Sequence, residues 1–412
     1  MRILVQKFGG TSVADLACMR QVQSKVEKAL ADGYKVVCVL SAMAGETNRL
    51  LSMAREWSSR PDPSEQDVLV ATGEQVSVAL FAMLLKEAGW KARSILGFQM
   101  PMRTDTDYGK ARILDIDSNQ LEKYLESHDV LVAAGFQGCD DCQRITTLGR
   151  GGSDTSAVAL AAALKAERCE IYTDVEGVYT TDPNLCSKAR KLDRVAYDEM
   201  LEMASMGAKV LQIRSVEFAK KYYVPVLVRS TFSDATGTLV TKEDPSMEQV
   251  KVSGIAYDKD QARVTLREVP DRPGVAAAIF GPLADAGILV DMIIQTVSLQ
   301  GRTDMTFTVP RSDLDRTMEL LQKVGQEIEA RELIHDTGVC KVSVIGVGMR
   351  NHSGVAGTAF RALTNENINI LMISTSEIKI SCVIEEKYLE LAVRTLHDAF
   401  ELDQEQPVRS ES

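Results

Sequence analysis

Short apolar runs rich in β-branched residues alternate with amphipathic helical patterns over the first half of the chain, and this constrains the fold most strongly. The predicted strands are residues 3–5, 36–40, 130–134, 170–173 and 225–228. The predicted helices are residues 15–31, 66–88, 153–165 and 211–221. This order predicts an α/β fold, a mostly parallel sheet with helices on both faces in three αβα layers. In such sheets, ligands bind where the carboxyl ends of strands lead into loops.

The last third of the chain repeats itself. Residues 273–293 and 353–373 align without a gap at an offset of 80, with Gly274 opposite Gly354 and Phe280 opposite Phe360. Each copy predicts a strand, a glycine-containing loop, an amphipathic helix and two further strands, so the two copies form a paired α+β module. The predicted domains are therefore a first domain at 1–241, a charged linker at 242–250, repeats at 251–337 and 338–403, and a disordered tail at 404–412.

The stretch KFGGTSV follows the first predicted strand. Gly9 and Gly10 allow the backbone to come close to a ligand, because no Cβ intervenes. Successive N–H groups can then point at phosphate oxygens, and Lys7 adds a positive charge at the strand end. The order differs from a P-loop, in which the lysine follows the glycines. The pattern indicates a phosphate site of another kind, although a strand–turn–helix junction with purely geometric glycines has the same appearance.

The stretch GRGGSDTSAVALAAAL strengthens this interpretation. Three glycines surround Arg150, whose planar guanidinium suits a carboxylate. Ser153 is predicted to cap the following helix, whose free N–H groups favour an anion. Asp154 is suited to orient Lys7 or to lie near a metal ion, or it only complements the helix dipole.

Four further stretches carry polar groups at predicted strand ends or helix starts. Ser41 and Thr47 follow the second strand, and Glu74 begins an apolar helical run, where it could hold an ammonium group. Residues 173–183 form a long loop rich in hydrogen-bonding groups, as expected of a nucleotide-binding loop. Lys209 precedes the last predicted helix of the first domain.

Composition excludes several other classes of protein. A formal net charge of −11 disfavours nucleic acid as the main partner. No uninterrupted apolar run approaches the roughly 18–20 residues of a membrane helix, and residues 1–10 lack the features of a signal peptide. Cys139 and Cys142 have metal-knuckle spacing but no second pair, so neither a metal site nor disulfides are predicted, and the cytoplasm is the expected compartment.

Together these motifs resemble the aspartate kinases of the amino-acid kinase superfamily. KFGGTSV, SAM, GE, GRGGSDTSAVALAAAL, TDVEGVYTTDP and GAKVLQIRSVEFA occur in that order, and the repeats resemble the paired ACT domains of that family. The resemblance extends from Lys7 to about Phe400. It implies a kinase domain followed by two ferredoxin-like ACT domains, with ATP and Mg²⁺ as cofactors. It also implies phosphorylation of aspartate to 4-phosphoaspartate, the first step of lysine, threonine and methionine biosynthesis.

The resemblance also implies roles for individual residues. Lys7 and Asp154 would be catalytic, and no protein side chain would hold a metal directly, because the nucleotide carries Mg²⁺. The implied nucleotide-binding residues are Gly9, Gly10, Ser41, Thr173, Asp174, Tyr179, Thr180, Asp182 and Lys209. The implied aspartate-binding residues are Thr47, Glu74, Arg150, Gly151, Gly152 and Ser153. Arg150 would take the α-carboxylate and Glu74 the amino group.

The implied reaction is consistent with simple chemistry. The β-carboxylate of aspartate has an unperturbed pKa of about 3.9, so it is already ionised near neutrality and needs no general base. The obstacle is the approach of two anions, which Lys7, glycine N–H groups and Mg²⁺ would offset.

For the repeats, the resemblance implies feedback inhibition by lysine, threonine or both. The candidate effector residues lie around the two repeated helices: Asp271, Gly274, Val275, Asp291, Gln295, Val355, Asn369, Ile370, Ser376 and Glu377. Pairing of ACT domains between chains predicts a homodimer or a higher oligomer, and Met247 is a possible start for a shorter second chain.

Two other functions stay open at this point. One is another amino-acid kinase, acting on N-acetylglutamate or glutamate, although an acetylated substrate has no ammonium group for Glu74. The other is a catalytically silent amino-acid sensor, against which the intact set of Lys7, Arg150 and Asp154 argues.

Overall fold

The computed structural model describes residues 1–100, 102–206, 210–244, 251–296 and 301–404. The chain forms two compact units, Met1–Tyr179 with Lys191–Met247, and Thr180–Arg190 with Glu248–Ser412. The sequence predicted one boundary after residue 241, whereas here the short segment Thr180–Arg190 also belongs to the second unit. The possible start at Met247 lies outside the described residues.

The first unit alternates strands and helices, as the sequence predicted. Its strands are β1 (Ile3–Phe8), β2 (Lys35–Leu40), β3 (Ala92–Ile95), β4 (Met102–Thr104), β5 (Ile113–Ile116), β6 (Val130–Ala134), β7 (Gln137–Cys139), β8 (Ile145–Thr147), β9 (Cys169–Thr173), β10 (Arg194–Ala196), β11 (Val226–Ser230) and β12 (Thr238–Thr241). Its helices are α1 (Leu16–Ala31), α2 (Glu46–Trp57), α3 (Pro63–Glu87), α4 (Ser118–Ser127), α5 (Gly152–Ala163), α6 (Tyr197–Ser205) and α7 (Ile213–Tyr222).

The main sheet of this unit confirms the predicted fold class. Its strand order is β10-β12-β11-β9-β1-β2-β6-β3, and the strands from β11 to β3 pair in parallel. Every residue of β6 is buried, which explains why these strands read as continuous apolar runs. β1 lies at the centre between β2 and β9, so the carboxyl end of β1 faces loops from both neighbours. Four further strands form a smaller sheet in the order β5-β4-β7-β8.

Helix α3 is the only described helix that is long and apolar enough to span a membrane by length and composition. Half of its most apolar window is buried, and its buried residues include Asp67 and Glu74. Charged side chains are rare in membrane helices, and α3 packs against β3 and β6. It is therefore a core helix of this unit. Asp62 caps it by accepting hydrogen bonds from the N–H groups of Ser64 and Glu65.

The second unit is built around one six-stranded antiparallel sheet. Its strands are β13 (Gly254–Pro270), β14 (Ile293–Gln295), β15 (Arg302–Val309), β16 (Glu332–Ile345), β17 (Met372–Thr375) and β18 (Lys379–Glu385), in the order β14-β15-β13-β16-β18-β17. Its helices are α8 (Val275–Asp285), α9 (Leu314–Glu327), α10 (Val355–Asn365) and α11 (Leu389–Ala399).

The predicted repeat is visible in this unit. Helices α8 and α10 occupy matching positions at the offset of 80 residues. Both follow a glycine in the left-handed region, Gly274 at φ 94° and Gly354 at φ 99°, a conformation that other residues rarely adopt. The long strands β13 and β16 pair from Gly254 opposite Ile345 to Arg267 opposite Glu332, so both copies share one sheet.

The segment Thr180–Arg190 is an integral part of the second unit. Cys186 is buried in the apolar core that also contains residues of α10 and α11. Thr180 Oγ1 lies 2.9 Å from Nε2 of the buried His397, and the hydroxyl of Tyr257 donates a hydrogen bond to Asp182 at 2.7 Å. These contacts attach the distal half of the predicted nucleotide loop to the second unit.

Candidate active site

A cavity of about 360 Å³ opens at the carboxyl ends of the parallel strands of the first unit. Loops after β1, β2 and β6, helix α3, and the start of α5 contribute to its wall. The lining residues are Lys7, Gly10, Ser41, Ala42, Met43, Ala44, Gly45, Thr47, Asn48, Glu74, Phe136, Gly149, Arg150, Gly151, Gly152, Ser153, Asp154 and Gln212. The cavity therefore lies where the parallel topology predicts a ligand site.

Lys7 and Asp154 form an ion pair at one side of this cavity. The Lys7 Nζ atom lies 2.6 Å from Asp154 Oδ1, and the two side chains are only 12% and 10% exposed. Lys7 is near the end of β1, and Asp154 lies in the first turn of α5. The carboxylate thus fixes the ammonium group in a site with little water, where its charge acts more strongly than in solvent.

The glycines after β1 allow two loops to approach closely. A Cβ atom on Gly10 would lie 2.8 Å from the carbonyl oxygen of Ala42, which follows β2. A Cβ atom on Gly9 would lie 3.6 Å from Lys7 Nζ. The N–H group of Ser41 donates to the carbonyl of Phe8 at 3.2 Å and continues the pairing of the two strands. A larger residue at position 10 would separate these loops.

Glu74 is a buried carboxyl group with one unused oxygen. Its Oε1 accepts a hydrogen bond from the N–H of Ala42 at 3.0 Å, whereas Oε2 has no hydrogen-bond partner among the described residues. Burial raises the pKa of Glu74 to about 7. A Cβ atom on Gly73 would lie 2.8 Å from Cβ of Ala42, so this glycine allows α3 to come close to the loop. The unused oxygen favours a ligand that carries a positive charge.

Arg150 lies in the glycine-rich turn that opens α5. Gly149 and Gly151 have φ angles of 77° and 72°, in the left-handed region. Gly151 is the N-cap and the helix begins at Gly152, so Ser153 is a first-turn residue and the prediction that it caps the helix was wrong. The left-handed turn at Gly151 starts the helix earlier than a serine cap would. Arg150 is exposed and has no ion-pair partner in the described part of the chain.

The structure brings most of the predicted catalytic and substrate-binding residues together. Lys7 and Arg150, which are far apart in sequence, line the same cavity. The predicted residues in its wall are Lys7, Gly10, Ser41, Thr47, Glu74, Arg150, Gly151, Gly152, Ser153 and Asp154. Gly9 does not line the cavity, but a Cβ atom at this position would lie 3.6 Å from Lys7 Nζ. The arrangement combines a fixed cation, a free cation and a buried carboxylate around one space.

The predicted nucleotide-binding residues of the 173–183 loop lie elsewhere. Thr173 ends β9 and donates a hydrogen bond to its neighbour Asp174 at 2.9 Å, and Tyr179 pairs with Lys191. None of these three predicted residues lines the 360 Å³ cavity. Thr180 and Asp182 belong to the second unit, and Lys209 lies outside the described residues.

Sequence reasoning missed several residues of the cavity wall. Asn48 is adjacent to Thr47, and Phe136 follows β6 with a positive φ of 70°, which only the folded backbone reveals. Gln212 reaches the cavity from the residue before α7, and a Cβ atom on Gly151 would lie 1.7 Å from its Cγ. The glycine at 151 is therefore required by the side chain of Gln212 as well as by the turn.

The predicted effector residues cluster around α8, α10 and the edge strands of the second unit. Val275 and Val355 begin the two helices and are buried, and Gln295 ends β14. Asp271 follows β13, Asn369 and Ile370 precede β17, and Ser376 follows β17. Two of the three predicted carboxylates already have a cationic partner: Asp291 pairs with the buried Lys341, and Glu377 lies 3.3 Å from Arg350.

The cysteines form no metal site in the described residues. Cys139 ends β7 and Cys142 lies exposed in the following turn, and both are free thiols. No group of three or more histidine, cysteine, aspartate or glutamate side chains that could hold a metal ion occurs in the described ranges.

Comparison with sequence families identifies both halves of the chain. Residues 2–230 match the Amino acid kinase family. Residues 264–326 and 342–400 each match an ACT domain.

Full-length relatives are similar to this chain throughout. An aspartate kinase of Stutzerimonas stutzeri is 56% identical over 404 residues, which cover 98% of both chains. The crystal structure of Escherichia coli aspartokinase III in complex with aspartate and ADP, in the R-state, is 30% identical with a TM-score of 0.80 and covers 97% of this chain and 99% of that one. The T-state of the same protein, in complex with lysine and aspartate, is 31% identical with a TM-score of 0.76 and the same coverage.

Proposed function

This chain belongs to the aspartate kinases within the amino acid kinase family, and we propose that its cavity transfers the terminal phosphoryl group of ATP to the β-carboxylate of aspartate. One observation carries the assignment of residues: the Lys7–Asp154 pair, the unpaired oxygen of Glu74 and the free guanidinium of Arg150 all face one space. This is the set of charges that a free α-amino acid and a phosphoryl group require.

Aspartate would be held at its α-carbon by two opposite charges. Arg150 offers two parallel N–H donors to the α-carboxylate, and Glu74 Oε2 accepts from the ammonium group. With both groups fixed, the β-carboxylate is the part of the substrate left to point toward Lys7. The Escherichia coli relative solved with aspartate and ADP supports a site of this kind.

The nucleotide phosphates would be held by backbone groups and Lys7. The N–H groups of Gly9 and Gly10 lie at the end of β1, and Ser41 lies at the end of the adjacent β2. The start of α5 adds the positive end of a helix dipole. Thr173 ends β9, and Asp174 and Tyr179 follow it in the same loop. All three would contact the rest of the nucleotide, and Thr180, Asp182 and Lys209 stay predictions from the resemblance.

The transfer itself needs charge compensation rather than a base. The β-carboxylate is ionised near neutrality, because its unperturbed pKa is about 3.9. Lys7, held by Asp154, stabilises negative charge on the transferring group. A Mg²⁺ ion bound mainly by nucleotide phosphates and water fits this wall, which presents Asp154 as a carboxylate beside Lys7 but no cluster of ligands among the described residues. When bound, it would neutralise phosphate charge.

Trapping the product tests this function directly. The purified chain is incubated with ATP, Mg²⁺ and hydroxylamine, which converts an acyl phosphate into a hydroxamate. We expect hydroxamate with aspartate and little with glutamate or N-acetylglutamate. Product formed from N-acetylglutamate instead of aspartate would contradict the proposal, because the unpaired oxygen of Glu74 favours a substrate with an ammonium group. Effector binding without any hydroxamate would indicate a sensor.

The raised pKa of Glu74 predicts a pH dependence for aspartate use. The pKa is about 7, and only the ionised carboxylate attracts the substrate ammonium. We therefore expect kcat/KM for aspartate to fall about tenfold per pH unit below this pKa and to level off above it. The measurement is a profile from about pH 5.5 to 8.5 at saturating ATP. The Glu74→Gln variant should show no inflection near this pH, and a flat wild-type profile would contradict the assignment.

The second unit is proposed to bind lysine, threonine or both as inhibitors. Support comes from the two ACT matches and from the Escherichia coli structure solved with lysine and aspartate. Asp291 and Glu377 are the proposed partners of the effector ammonium, which would compete with Lys341 and Arg350 for these carboxylates. Calorimetric titration with each amino acid should detect binding of at least one, and Asp291→Asn should weaken it about tenfold. If neither lysine nor threonine produced a heat of binding, the result would contradict this proposal.

We also propose a homodimer or higher oligomer in the cytoplasm. Ile293 of the edge strand β14 is 53% exposed and Ile373 of the opposite edge strand β17 is 42% exposed, and such edges favour pairing between copies. The eight cysteines are free thiols, as expected in a reducing compartment. Light scattering after size-exclusion chromatography determines the mass of the assembly.

A further inference from the structure

The loop that carries Arg150 is held from outside the cavity by a second arginine. Arg214, near the start of α7, donates from Nη1 to the carbonyl of Leu148 at 2.5 Å and from Nη2 to the carbonyl of Ala111 at 2.9 Å. Leu148 is the last residue before the glycine turn. Arg214 does not line the cavity, and no described carboxylate pairs with it.

The loop needs such an external restraint because its glycine-rich backbone does little to restrict its own conformation. Gly149 and Gly151, on either side of Arg150, adopt φ values of 77° and 72°, and glycine has the greatest backbone freedom. The direction of the Arg150 side chain therefore depends on what fixes the residues before and after it. On the far side, the Gln212 side chain fills the space against Gly151.

A buried carboxylate anchors the strand that enters this loop. Asp67 of α3, the helix that also carries Glu74, accepts from the N–H of Thr147 at 2.8 Å and from its hydroxyl at 2.6 Å. The same carboxylate accepts from the N–H of Gly109 at 3.0 Å, and the N–H of Ala111 donates to the carbonyl of Thr147 at 2.9 Å. Asp67 thus fixes the strand end relative to α3, and Arg214 fixes the next carbonyl relative to α7.

We propose that Arg214 is a positioning residue for aspartate binding, which acts by holding the Leu148 carbonyl so that Arg150 points into the cavity. This inference rests on the proposed binding of the substrate α-carboxylate by Arg150. Two carbonyls separated along the chain require the planar fork of a guanidinium, whereas a lysine ammonium is a single point charge. A small displacement of a binding group is costly in enzymes, because productive geometry is narrow.

The first test compares the kinetics of single variants. Arg214→Met should lower kcat/KM for aspartate about tenfold or more through a raised KM, and Arg214→Lys should lie between it and the wild type. The KM for ATP and kcat should each change by less than about threefold. The matched control is Lys220→Met on the same helix, because Asp198, at 2.6 Å, is the ion-pair partner of Lys220 in the described part of the chain and neither residue lines the cavity. It should behave as the wild type.

The second test asks whether Arg214 acts through Arg150. In an Arg150→Gln background, Arg214→Met should change kcat/KM for aspartate by less than about twofold, because the group it positions is gone. Initial slopes give kcat/KM even when aspartate does not saturate. An equal loss in both backgrounds, an equal loss for ATP, or no loss in either Arg214 variant would overturn the inference. If Arg214→Met does not fold, Arg214→Lys replaces it in the same comparison between the wild-type and Arg150→Gln backgrounds. A wild-type protein without aspartate-dependent product would instead overturn the proposed function.

Discussion

Replacing Lys7 by methionine is expected to lower kcat for aspartate phosphorylation by about a thousandfold or more. The methionine fills a similar volume but cannot compensate negative charge on the transferring phosphoryl group. Because Arg150 and Glu74 are untouched, the binding of aspartate should change little. The hydroxamate assay gives kcat, and calorimetry gives the affinity for aspartate.

The control for this prediction concerns Asp154, the ion-pair partner of Lys7. The Asp154 side chain is only 10% exposed, and without Lys7 it becomes a buried carboxylate that has lost the cation paired with it. This change alone could destabilise the protein. The double variant Lys7→Met, Asp154→Asn removes the uncompensated charge, so it should regain melting temperature without regaining activity. Recovery of activity, or a single variant within about tenfold of the wild type, would show that Lys7 is not the catalytic cation.

The same variant separates catalysis from regulation. If the second unit binds lysine or threonine, Lys7→Met should retain that binding with an affinity close to that of the wild type. A variant that loses turnover and effector binding together would indicate a general loss of structure.

Replacing Glu74 by glutamine is expected to raise the KM for aspartate about 100-fold, with little change in the KM for ATP. The substitution removes the negative charge that the unpaired Oε2 offers to the substrate ammonium, while the shape of the side chain is nearly preserved. Succinate lacks the ammonium group, so the activity of the variant toward succinate should be close to that of the wild type. The measurement is steady-state kinetics above pH 7, where the wild-type carboxylate is ionised.

A matched control is available in the same unit. Glu199 of α6 is also buried and also accepts a backbone hydrogen bond, from Ala196 at 3.0 Å, but it does not line the cavity. Glu199→Gln should therefore leave the KM for aspartate unchanged. An equal rise in KM for both variants would mean that the loss at position 74 is structural.

The pH dependence of protein stability independently tests whether the pKa of Glu74 is raised in the folded state. Its pKa is about 7 in the folded protein against 4.5 as the reference value, so the folded state holds its proton to higher pH than the unfolded state. This carboxyl therefore lowers the free energy of unfolding as pH rises from the lower value to the higher one. Glu74→Gln removes this ionisation, so the difference in melting temperature between variant and wild type should shift in favour of the variant over that window. A constant difference across the window would contradict the raised pKa.

Much of the architecture and part of the site were predictable because their signals are local. The period of apolar residues predicted the parallel sheet, and the offset of 80 predicted two equivalent helices after Gly274 and Gly354. Lys7 and Arg150 were identifiable because glycines beside a charged residue mark a close backbone approach. Helices α2, α4 and α6 of the first unit were missed, because such short sequences contain few apolar residues to mark a period.

Other features depend on contacts between distant segments. The sequence predicted that Glu74 could hold an ammonium group but not that one of its oxygens would bond to Ala42 and the other remain free. The attachment of Thr180 and Asp182 to His397 and Tyr257 was also unpredicted. Such pairings depend on which groups the packed chain brings within hydrogen-bond distance.

The amino-acid sequence by itself determined the order of strands and helices, the repeat, and the chemical types present at the strand ends, because these depend on spacing along the chain. Only the tertiary structure decided that Lys7, Glu74, Arg150 and Asp154 share one cavity and that Arg214 holds the loop behind it. The physical reason is that charge acts through space: burial and distance between remote residues set which carboxylate is paired, which is free, and where a guanidinium points.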